Sequence, residues 1–339
     1  LAGSANIAGN TDFLLAKADS GGTIDWSKNS AGAGDDVAFS MVQTVDGGYA
    51  LAGRTGSFGF GGDFWLVKTN PVGTTEWSRN CGGAGDYSAV SLVQTSDGGY
   101  ALAGSTFSPS VYSDLWFVKV RSEMNREHKK YFGGTNLIPG WSRIYGGAGS
   151  DEGYAMVQTS DGGYALAGYT DSFGVGGDFW LIKTDPTGAV QWERTYGGAG
   201  EQKAYCLVQT SDNGYALAGY NASAGPKDFF LVKTNSWGIM EWSKNYGGGA
   251  CIEEAHSLVQ TGDGGYAVAG FNYSYVGYYF CLVKADSAGN MQWNKNYGVD
   301  GSVVQTAYSL VQTVDGGYAL AGTNSSGNYD FCLVKTDSS

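Results

Sequence analysis

The stretch 203–246, KAYCLVQTSDNGYALAGYNASAGPKDFFLVKTNSWGIMEWSKNY, contains four segments in which apolar and polar residues alternate. Alternation with a period of two predicts β-strands. Turn residues such as Ser211-Asp212-Asn213-Gly214 separate the segments and predict tight hairpins between neighbouring strands. The stretch therefore predicts one four-stranded antiparallel sheet.

The same pattern recurs along the chain with a period of about 51 residues. The second-strand string Ala-Leu-Ala-Gly, or a close variant, ends at Gly3, Gly53, Gly104, Gly168, Gly219, Gly270 and Gly322. The third-strand string, related to Asp-Phe-Trp-Leu-Val-Lys, ends at Lys17, Lys68, Lys119, Lys183, Lys233, Lys284 and Lys335. Seven repeats of this length with four strands each predict an all-β, seven-bladed β-propeller of four-stranded antiparallel blades, formed as a single domain over residues 1–339.

The strand landmarks are incomplete at the two ends of the sequence. They give seven second and seven third strands, but six first and six fourth strands. Bare strand edges promote aggregation, and proteins normally cover them. We therefore expect that the native polypeptide continues past one or both ends, or that another subunit donates the strands in a homo-oligomer or filament.

A tryptophan follows the third-strand lysine in the repeats, at Trp26, Trp77, Trp141, Trp192, Trp242 and Trp293. The hairpin 183–192, KTDPTGAVQW, resembles the tryptophan-docking motif of quinoprotein-like propellers. This resemblance implies that each tryptophan is buried between adjacent blades. It does not imply the dehydrogenase activity, because the vicinal cysteine pair of that family is absent. The repeat is also similar to a glycine-rich propeller repeat of archaeal and bacterial surface proteins, which implies no particular chemistry.

Composition and charge exclude several classes of function. The 339 residues carry a net charge of −12 with a pI of about 4.5, which argues against nucleic acid and against anionic membrane surfaces as partners. No apolar run approaches the roughly 20 residues of a membrane-spanning helix. The five cysteines replace packing residues of the repeat, so we expect buried free thiols and neither a disulfide framework nor a zinc site.

The loops between second and third strands carry aromatic residues at or near their tips. These candidate ligand- or partner-binding residues are Phe58, Phe60, Tyr112, Phe173, Tyr273 and Tyr275. Aromatic side chains on glycine-rich loops suit stacking on sugars or docking to a protein. The pattern therefore predicts a glycan- or protein-binding face, with partly solvated loops as the alternative.

The loops between blades carry acidic residues. Candidate metal ligands among them are Asp35, Asp36, Asp86, Asp151 and Glu152. Carboxylate oxygens suit Ca²⁺, so this ion or a cationic ligand is one interpretation, and a solvated acidic rim is the other. No further cofactor is expected.

Two other features bear on location and assembly. Glycosylation sequons begin at Asn221, Asn272 and Asn324, in the same loop position of successive repeats, and predict an extracellular or cell-surface glycoprotein. A 13-residue hairpin insertion near 121–138 contains the only basic cluster, whose members are Arg126, His128, Lys129 and Lys130. It is expected either to dock on the acidic rim of a neighbouring molecule or to be a tolerated loop insertion.

These observations favour a non-catalytic extracellular or cell-surface binding or assembly module. The alternative is a carbohydrate-active hydrolase or lyase that uses acidic residues at the channel mouth. A sialidase is disfavoured, because the segment 95–99 matches only the first half of an Asp-box. His256 is the only candidate base beside the acids. It takes the repeat position of Phe39 and Tyr205, so we interpret it as a core substitution.

Overall fold

The structure is a computed structural model. It describes the chain apart from residues 8, 20, 31, 59–60, 84, 108–111, 122–138, 224, 249–250, 276, 299–303, 326–328 and 339. Phe60 and the basic cluster at 126–130 therefore lie outside the described residues. By its internal contacts the chain forms two compact units, which are Leu1–Ala165 with Thr184–Ala189, and Leu166–Lys183 with Val190–Ser339. The described part contains no helix that could cross a membrane.

The described residues form 26 strands in seven antiparallel sheets, and neighbouring strands in each sheet follow chain order. The first sheet contains β1 (Ala2–Ile7), β2 (Asn10–Ala18) and β3 (Ile24–Ser30). The second contains β4 (Asp36–Gln43), β5 (Tyr49–Thr55), β6 (Asp63–Thr69) and β7 (Thr75–Cys81). The third contains β8 (Asp86–Gln94), β9 (Tyr100–Phe107), β10 (Ser113–Val120) and β11 (Pro139–Tyr145), and the fourth contains β12 (Asp151–Gln158), β13 (Tyr164–Thr170), β14 (Asp178–Thr184) and β15 (Val190–Tyr196).

The last three sheets continue the series. The fifth contains β16 (Gln202–Gln209), β17 (Tyr215–Asn221), β18 (Asp228–Thr234) and β19 (Met240–Tyr246). The sixth contains β20 (Ile252–Gln260), β21 (Tyr266–Ser274), β22 (Gly277–Ala285) and β23 (Met291–Tyr297). The seventh contains β24 (Val304–Gln312), β25 (Tyr318–Ser325) and β26 (Tyr329–Thr336). The all-β class and the seven blade sheets of a β-propeller are thus confirmed, with four strands in five sheets and three in the first and last.

In the second unit, the fifth and sixth sheets pack on each other through small residues of one second strand and large residues of its neighbours. Ala216 and Ala218 of β17 are fully buried, and they share a core cluster with Phe229 of β18 and with Leu258 of the following sheet. The alanines let the sheets approach closely, and the larger side chains fill the space between them. The five cysteines are free thiols; Cys281 is buried as expected, whereas the other four are half-buried.

In the five four-stranded sheets the third-strand lysine is buried, and in the fifth sheet it holds the turn between the first and second strands. In the two three-stranded sheets its counterparts Lys17 and Lys335 are about half exposed. Lys233 Nζ lies 2.7 Å from Asp212 Oδ2 and 2.8 Å from Glu241 Oε2, and it donates to the Thr234 carbonyl oxygen. Its side chain is 5% exposed, whereas those of Asp212 and Glu241 are 55% and 45% exposed. Burial alone would raise the pKa of Asp212, but hydrogen bonds from Lys233, Thr210 and the Gly214 amide lower it to about 2. Lys68 and Lys284 make equivalent contacts, so the lysine of the repeat is structural.

The tryptophan of one blade contacts the turn glycine of the next. Trp192 packs edge-on against Tyr215 with ring centroids 5.8 Å apart, and a Cβ on Gly238 would lie 2.6 Å from its ring. Gly238 has a φ of +70°, and its carbonyl accepts a hydrogen bond from Tyr196 Oη. The docking contact implied by the resemblance is therefore present. The expectation of full burial was wrong, because these tryptophans are only half-buried on the outer, fourth strands.

A β-bulge in the first strand explains the glycine that ends each Ala-Leu-Ala-Gly string. In β20 the register shifts between Ala255 and Ser257, so that His256 is the extra residue. The bulge presses the backbone onto the partner strand, where a Cβ on Gly270 would lie 1.8 Å from the Glu254 carbonyl oxygen. Equivalent bulges insert Tyr205 in β16 and Tyr308 in β24. Because a bulge re-aims the extra side chain, these residues leave the alternation of their strands.

Candidate binding surface on the second unit

The bulge residues of three successive first strands lie side by side. The His256 ring stacks on the Tyr205 ring at 5.0 Å with an interplanar angle of 20°. The Tyr308 ring, on β24, lies 5.4 Å from the His256 ring and is tilted by 59° relative to it. All three residues belong to the second unit, so the fold brings together side chains that are about 50 residues apart in sequence.

The β21–β22 hairpin extends this row of rings. Phe271 stacks on His256 at 5.8 Å, Tyr278 lies 5.7 Å from Phe271, and Tyr273 stacks on Tyr278 at 4.3 Å. In this hairpin Ser274 pairs with Gly277, and the two strands have nine residues each. A seventh ring, that of the buried Tyr220, lies 5.8 Å from Tyr205. We call the six accessible connected rings the aromatic strip, and its members are Tyr205, His256, Phe271, Tyr273, Tyr278 and Tyr308.

The strip is accessible to solvent although most of its rings pack against one another. Tyr308 is 55% exposed and Tyr273 is 40% exposed, and the other four members are half-buried. Tyr275, at the tip of the same hairpin, is 95% exposed. Clusters of large aromatic side chains that contact one another and are partly exposed to solvent are characteristic of binding surfaces.

The polar groups beside the strip are paired with one another. Lys227 Nζ lies 2.6 Å from Glu254 Oε1 and 3.9 Å from the centroid of the Tyr220 ring. Tyr220 Oη donates a hydrogen bond to Glu201 Oε1. Burial, with a smaller contribution from Lys227, lowers the pKa of His256 to about 4, so its imidazole is neutral at physiological pH.

The buried carboxyl of Glu253 lies close to the half-buried carboxyl of Asp228. Glu253 is 7% exposed, and its Oε1 accepts a hydrogen bond from Asn272 Nδ2. Its Oε2 has no hydrogen-bond partner among the described residues. A Cβ on Gly247 would lie 1.9 Å from this atom and 2.8 Å from Asp228 Oδ1, so the two carboxylates meet at this glycine. Burial, with the charge of Asp228, raises the pKa of Glu253 to about 7.

The structure separates the aromatic residues predicted from the loops. Phe58 and Phe173 pack against the third-strand tryptophans Trp65 and Trp180 of their own sheets, with centroids 5.7 Å apart in both cases. Tyr112 is 48% exposed. Only Tyr273 and Tyr275 belong to the hairpin that carries the aromatic strip. Whether any of these residues binds a ligand stays a prediction.

The predicted metal ligands are engaged within the protein. Asp36 is fully buried and accepts hydrogen bonds from Thr55 Oγ1 and Ser57 Oγ. Asp151 is also fully buried and accepts one from the Gly147 amide. The other three make local contacts, Asp35 with the Thr11 amide, Asp86 with Arg54 and Glu152 with Tyr154. Among the described residues no group of three or more His, Cys, Asp or Glu side chains is arranged to hold a metal ion.

The sequon asparagines lie in a cross-strand polar row. Asn221, Asn272 and Asn324 stand opposite Gln202, Glu253 and Gln305 of the first strands, whereas Thr55 stands opposite Asp36. Asn221 Oδ1 accepts a hydrogen bond from Gln202 Nε2, and Asn272 Nδ2, the atom that a glycan would modify, donates to Glu253. Pairing across the strands thus gives a structural reason for Asn221 and Asn272, whereas Asn324 Oδ1 and Gln305 Nε2 have no hydrogen-bond partner among the described residues. Glycosylation stays a prediction.

The comparisons with known proteins show a likeness of fold. No protein-family model and no curated protein matches the sequence. Two crystal structures of puromycin hydrolase match with TM-scores of 0.58 and 0.52 at 12% identity, over 99% and 88% of this chain. This chain spans about half of the hydrolase, 50% and 45% respectively. A Bacteroides caccae protein of unknown function matches with a TM-score of 0.48 at 11% identity, over 86% of this chain and 97% of its own.

The sequence identified one member of the strip, Tyr273, as a candidate binding residue and did not identify the other five as such. It assigned His256 to the core, whereas the structure leaves its side chain 19% exposed between Tyr205 and Tyr308. The missed signal was the recurring Ala-x-Ser or Ala-x-Cys of the first strands opposite an obligatory glycine. That combination indicates a bulge whose extra residue, x, is turned away from the sheet contacts.

Proposed function

We propose that this chain is a non-catalytic binding module and that its ligand binds on the aromatic strip. The observation that carries the proposal is the continuous contact of six rings, which come from five strands of three successive sheets. Surfaces of this composition supply much contact area with little loss of side-chain entropy on binding. A protein or a glycan is the ligand class that this surface supports.

The chemistry near the strip favours binding over catalysis. The neutral His256 is held between two rings, and its Nε2 lies 4.0 Å from Glu254 Oε2, beyond hydrogen-bond distance. The carboxylate with the raised pKa, Glu253, is buried beneath Gly247. A general acid must reach the atom that it protonates, and a substrate on the strip would not contact this carboxyl.

We place the module outside the cell or on the cell surface. This part of the proposal rests on the three sequons in register and on the negative charge of the chain, which disfavours nucleic acid and anionic membranes. Intact-mass analysis of material from the native source tests the location, because a glycan on any of the three asparagines requires passage through a secretory route.

Binding on the strip is tested with fluorescently labelled protein on arrays of glycans and of synthetic peptides, beside a reducing-sugar assay on soluble polysaccharides. We expect saturable binding that Tyr308→Ala weakens about tenfold or more, as at an interface hot spot. Phe39→Ala is the matched control, because Phe39 occupies the equivalent bulge position of β4 in the first unit, is 49% exposed and should leave binding unchanged. Turnover of a polysaccharide, or binding that Tyr308→Ala leaves intact, would contradict the proposal.

A further inference from the structure

We infer that the outer edge of β26 is a docking site for a segment of another polypeptide with the pattern Gly-x-x-(Glu/Gln)-Trp-x-x-x-Tyr. The segments 188–196, 238–246 and 289–297 of this chain have that pattern, and each contains a turn glycine and a fourth strand. We call the docking segment the donor strand. Its site is separate from the aromatic strip, because β26 contributes no ring to the strip.

The strand β26 has one bare edge. It is a third strand that pairs with β25 alone, whereas the third strands β18 and β22 each pair with a fourth strand as well. Val334 is half-buried and Lys335 is exposed, whereas their counterparts in β22, Val283 and Lys284, are 2% and 5% exposed. Unpaired backbone N–H and C=O groups on such an edge are a template for an added strand.

The tryptophan of the sixth sheet makes only half of the contact that its counterparts make. Trp293 packs edge-on against Tyr318 with ring centroids 5.8 Å apart. In the preceding repeat, the Trp242 ring also lies against the turn glycine Gly289, whose carbonyl accepts a hydrogen bond from Tyr246 Oη. The described part of the seventh sheet places no turn glycine against Trp293. The glycine of the donor strand would complete this contact.

The charge of Lys335 adds a requirement for the residue before the donor tryptophan. In the fifth sheet, Lys233 Nζ contacts Asp212 in the first turn and Glu241 in the fourth strand, at 2.7 Å and 2.8 Å. Lys335 Nζ contacts only the first of these two kinds of partner, Asp315 at 2.7 Å, and its side chain is 46% exposed. An added strand would bury this ammonium, so a carboxylate or amide oxygen of the donor strand is needed beside it.

The registers of the complete sheets define how the donor strand would lie. In the sixth sheet Lys284 stands opposite Trp293, and Phe280 stands opposite Tyr297. An antiparallel donor strand in the same register places its tryptophan opposite Lys335 and its tyrosine near Phe331. Every described fourth strand is already paired with its own third strand. A second copy of this chain would therefore have to break one of its sheets to supply the donor strand, which argues for a different polypeptide.

The test uses the 339-residue chain and a fluorescein-labelled peptide with the sequence of residues 235–247, NSWGIMEWSKNYG. We expect saturable one-to-one binding in fluorescence anisotropy, and protection of the β26 amides by the peptide in hydrogen-exchange mass spectrometry. Peptides that carry Trp242→Ala or Glu241→Lys should bind about tenfold or more weakly, because each removes an anchor of the contact.

A charge exchange locates the contact. Lys335→Glu in the protein should weaken the unmodified peptide about tenfold or more, and the Glu241→Lys peptide should regain affinity for this variant. Lys17→Glu is the matched control, because Lys17 is a third-strand lysine of similar exposure whose sheet already contains the fourth strand β3. It should leave binding unchanged. Circular dichroism melts establish that both variants are folded.

Four results would overturn the inference. Absence of saturable binding, or equal binding of the Trp242→Ala peptide, would show that the edge does not recognise the pattern. Protection confined to regions other than β26 would place the peptide elsewhere. Self-association of the chain that the peptide displaces, measured by light scattering, would make a second copy the occupant. A matching segment joined to residue 339 in native material, found by intact-mass analysis and peptide sequencing, would overturn donation by another polypeptide.

Discussion

Replacing Glu253 by glutamine should stabilise the protein above neutral pH and change it little at pH 4. The wild-type carboxyl has a pKa of about 7 in the fold, against an ordinary value of 4.5 for glutamate, because it is buried beside Asp228. A carboxyl whose pKa is raised by folding destabilises the folded state where it is ionised. The penalty is absent below pH 4.5, grows as the pH rises, and is complete above pH 7.

The full shift corresponds to about 3 kcal/mol at 1.36 kcal/mol per pKa unit. We expect about 1.5–3 kcal/mol at pH 8, because relaxation around the ionised pair recovers part of the penalty. Glutamine removes the charge and keeps an acceptor for Asn272 Nδ2. Its own amide can donate to Asp228 Oδ1, which lies on the other side of Gly247. The repeats already contain this solution, since Gln202 and Gln305 occupy the equivalent position.

The assay is urea unfolding of wild type and Glu253→Gln between pH 4 and pH 8.5, with the difference between the two proteins plotted against pH. The difference isolates this carboxyl from the other titrating groups. The reciprocal variant, Gln202→Glu, places a carboxyl beside Asp178 and should lose stability over the same pH range. A pH-independent difference for Glu253→Gln, or a destabilised Glu253→Gln at pH 8, would refute the reasoning.

Three further predictions concern packing and charge. Trp192→Ala should lower the free energy of unfolding by about 2–3 kcal/mol, which is less than for a fully buried tryptophan because Trp192 is half-buried. A loss below 1 kcal/mol in urea melts would refute the docking of this ring on Gly238. Lys233→Met should lower the free energy of unfolding by about 1 kcal/mol, since the exposed acidic partners of Lys233 can be hydrated. Asp212→Asn should lower it by about 2–3 kcal/mol, because the buried ammonium of Lys233 then has less compensating charge. If Lys233→Met costs more than Asp212→Asn, the buried ammonium is not the charge that limits stability. His256→Phe should reduce the loss of stability between pH 6.5 and pH 4, because the wild-type imidazole is neutral in the fold and must gain a proton on unfolding; parallel pH profiles would contradict this.

The sequence predicts the sheets well because the strands and turns of each repeat are indicated by local alternation and turn residues. The turn 211–214 and the alternation around it suffice to place β16 and β17. The burial of Trp192 was overestimated, because a motif gives the contact but not how much of the ring the next blade covers. Asp36 was placed at a solvated mouth, yet it is buried with Thr55 and Ser57. Hydrogen-bond partners on the neighbouring strand decide such cases, and alternation alone does not reveal them.

The aromatic strip illustrates a second limit of the sequence. Its rings come from β16, β20, β21, β22 and β24, so their contacts depend on how successive sheets pack. A bulge also reverses the side on which a residue lies, which makes the period-two pattern misleading at that one position. His256 therefore looked like a core residue in an otherwise correctly assigned strand.

The contact between Trp192 and Gly238 runs in one direction along the chain, from each repeat to the one after it. In every repeat that has both residues, the tryptophan contacts the following repeat and the turn glycine contacts the preceding one. A tandem duplication of one such unit would therefore enter the array with both of its neighbours satisfied, without compensating changes elsewhere. This property makes unequal recombination within the coding sequence structurally tolerable, and it offers a physical route by which related units such as 151–200 and 202–248 could arise by copying.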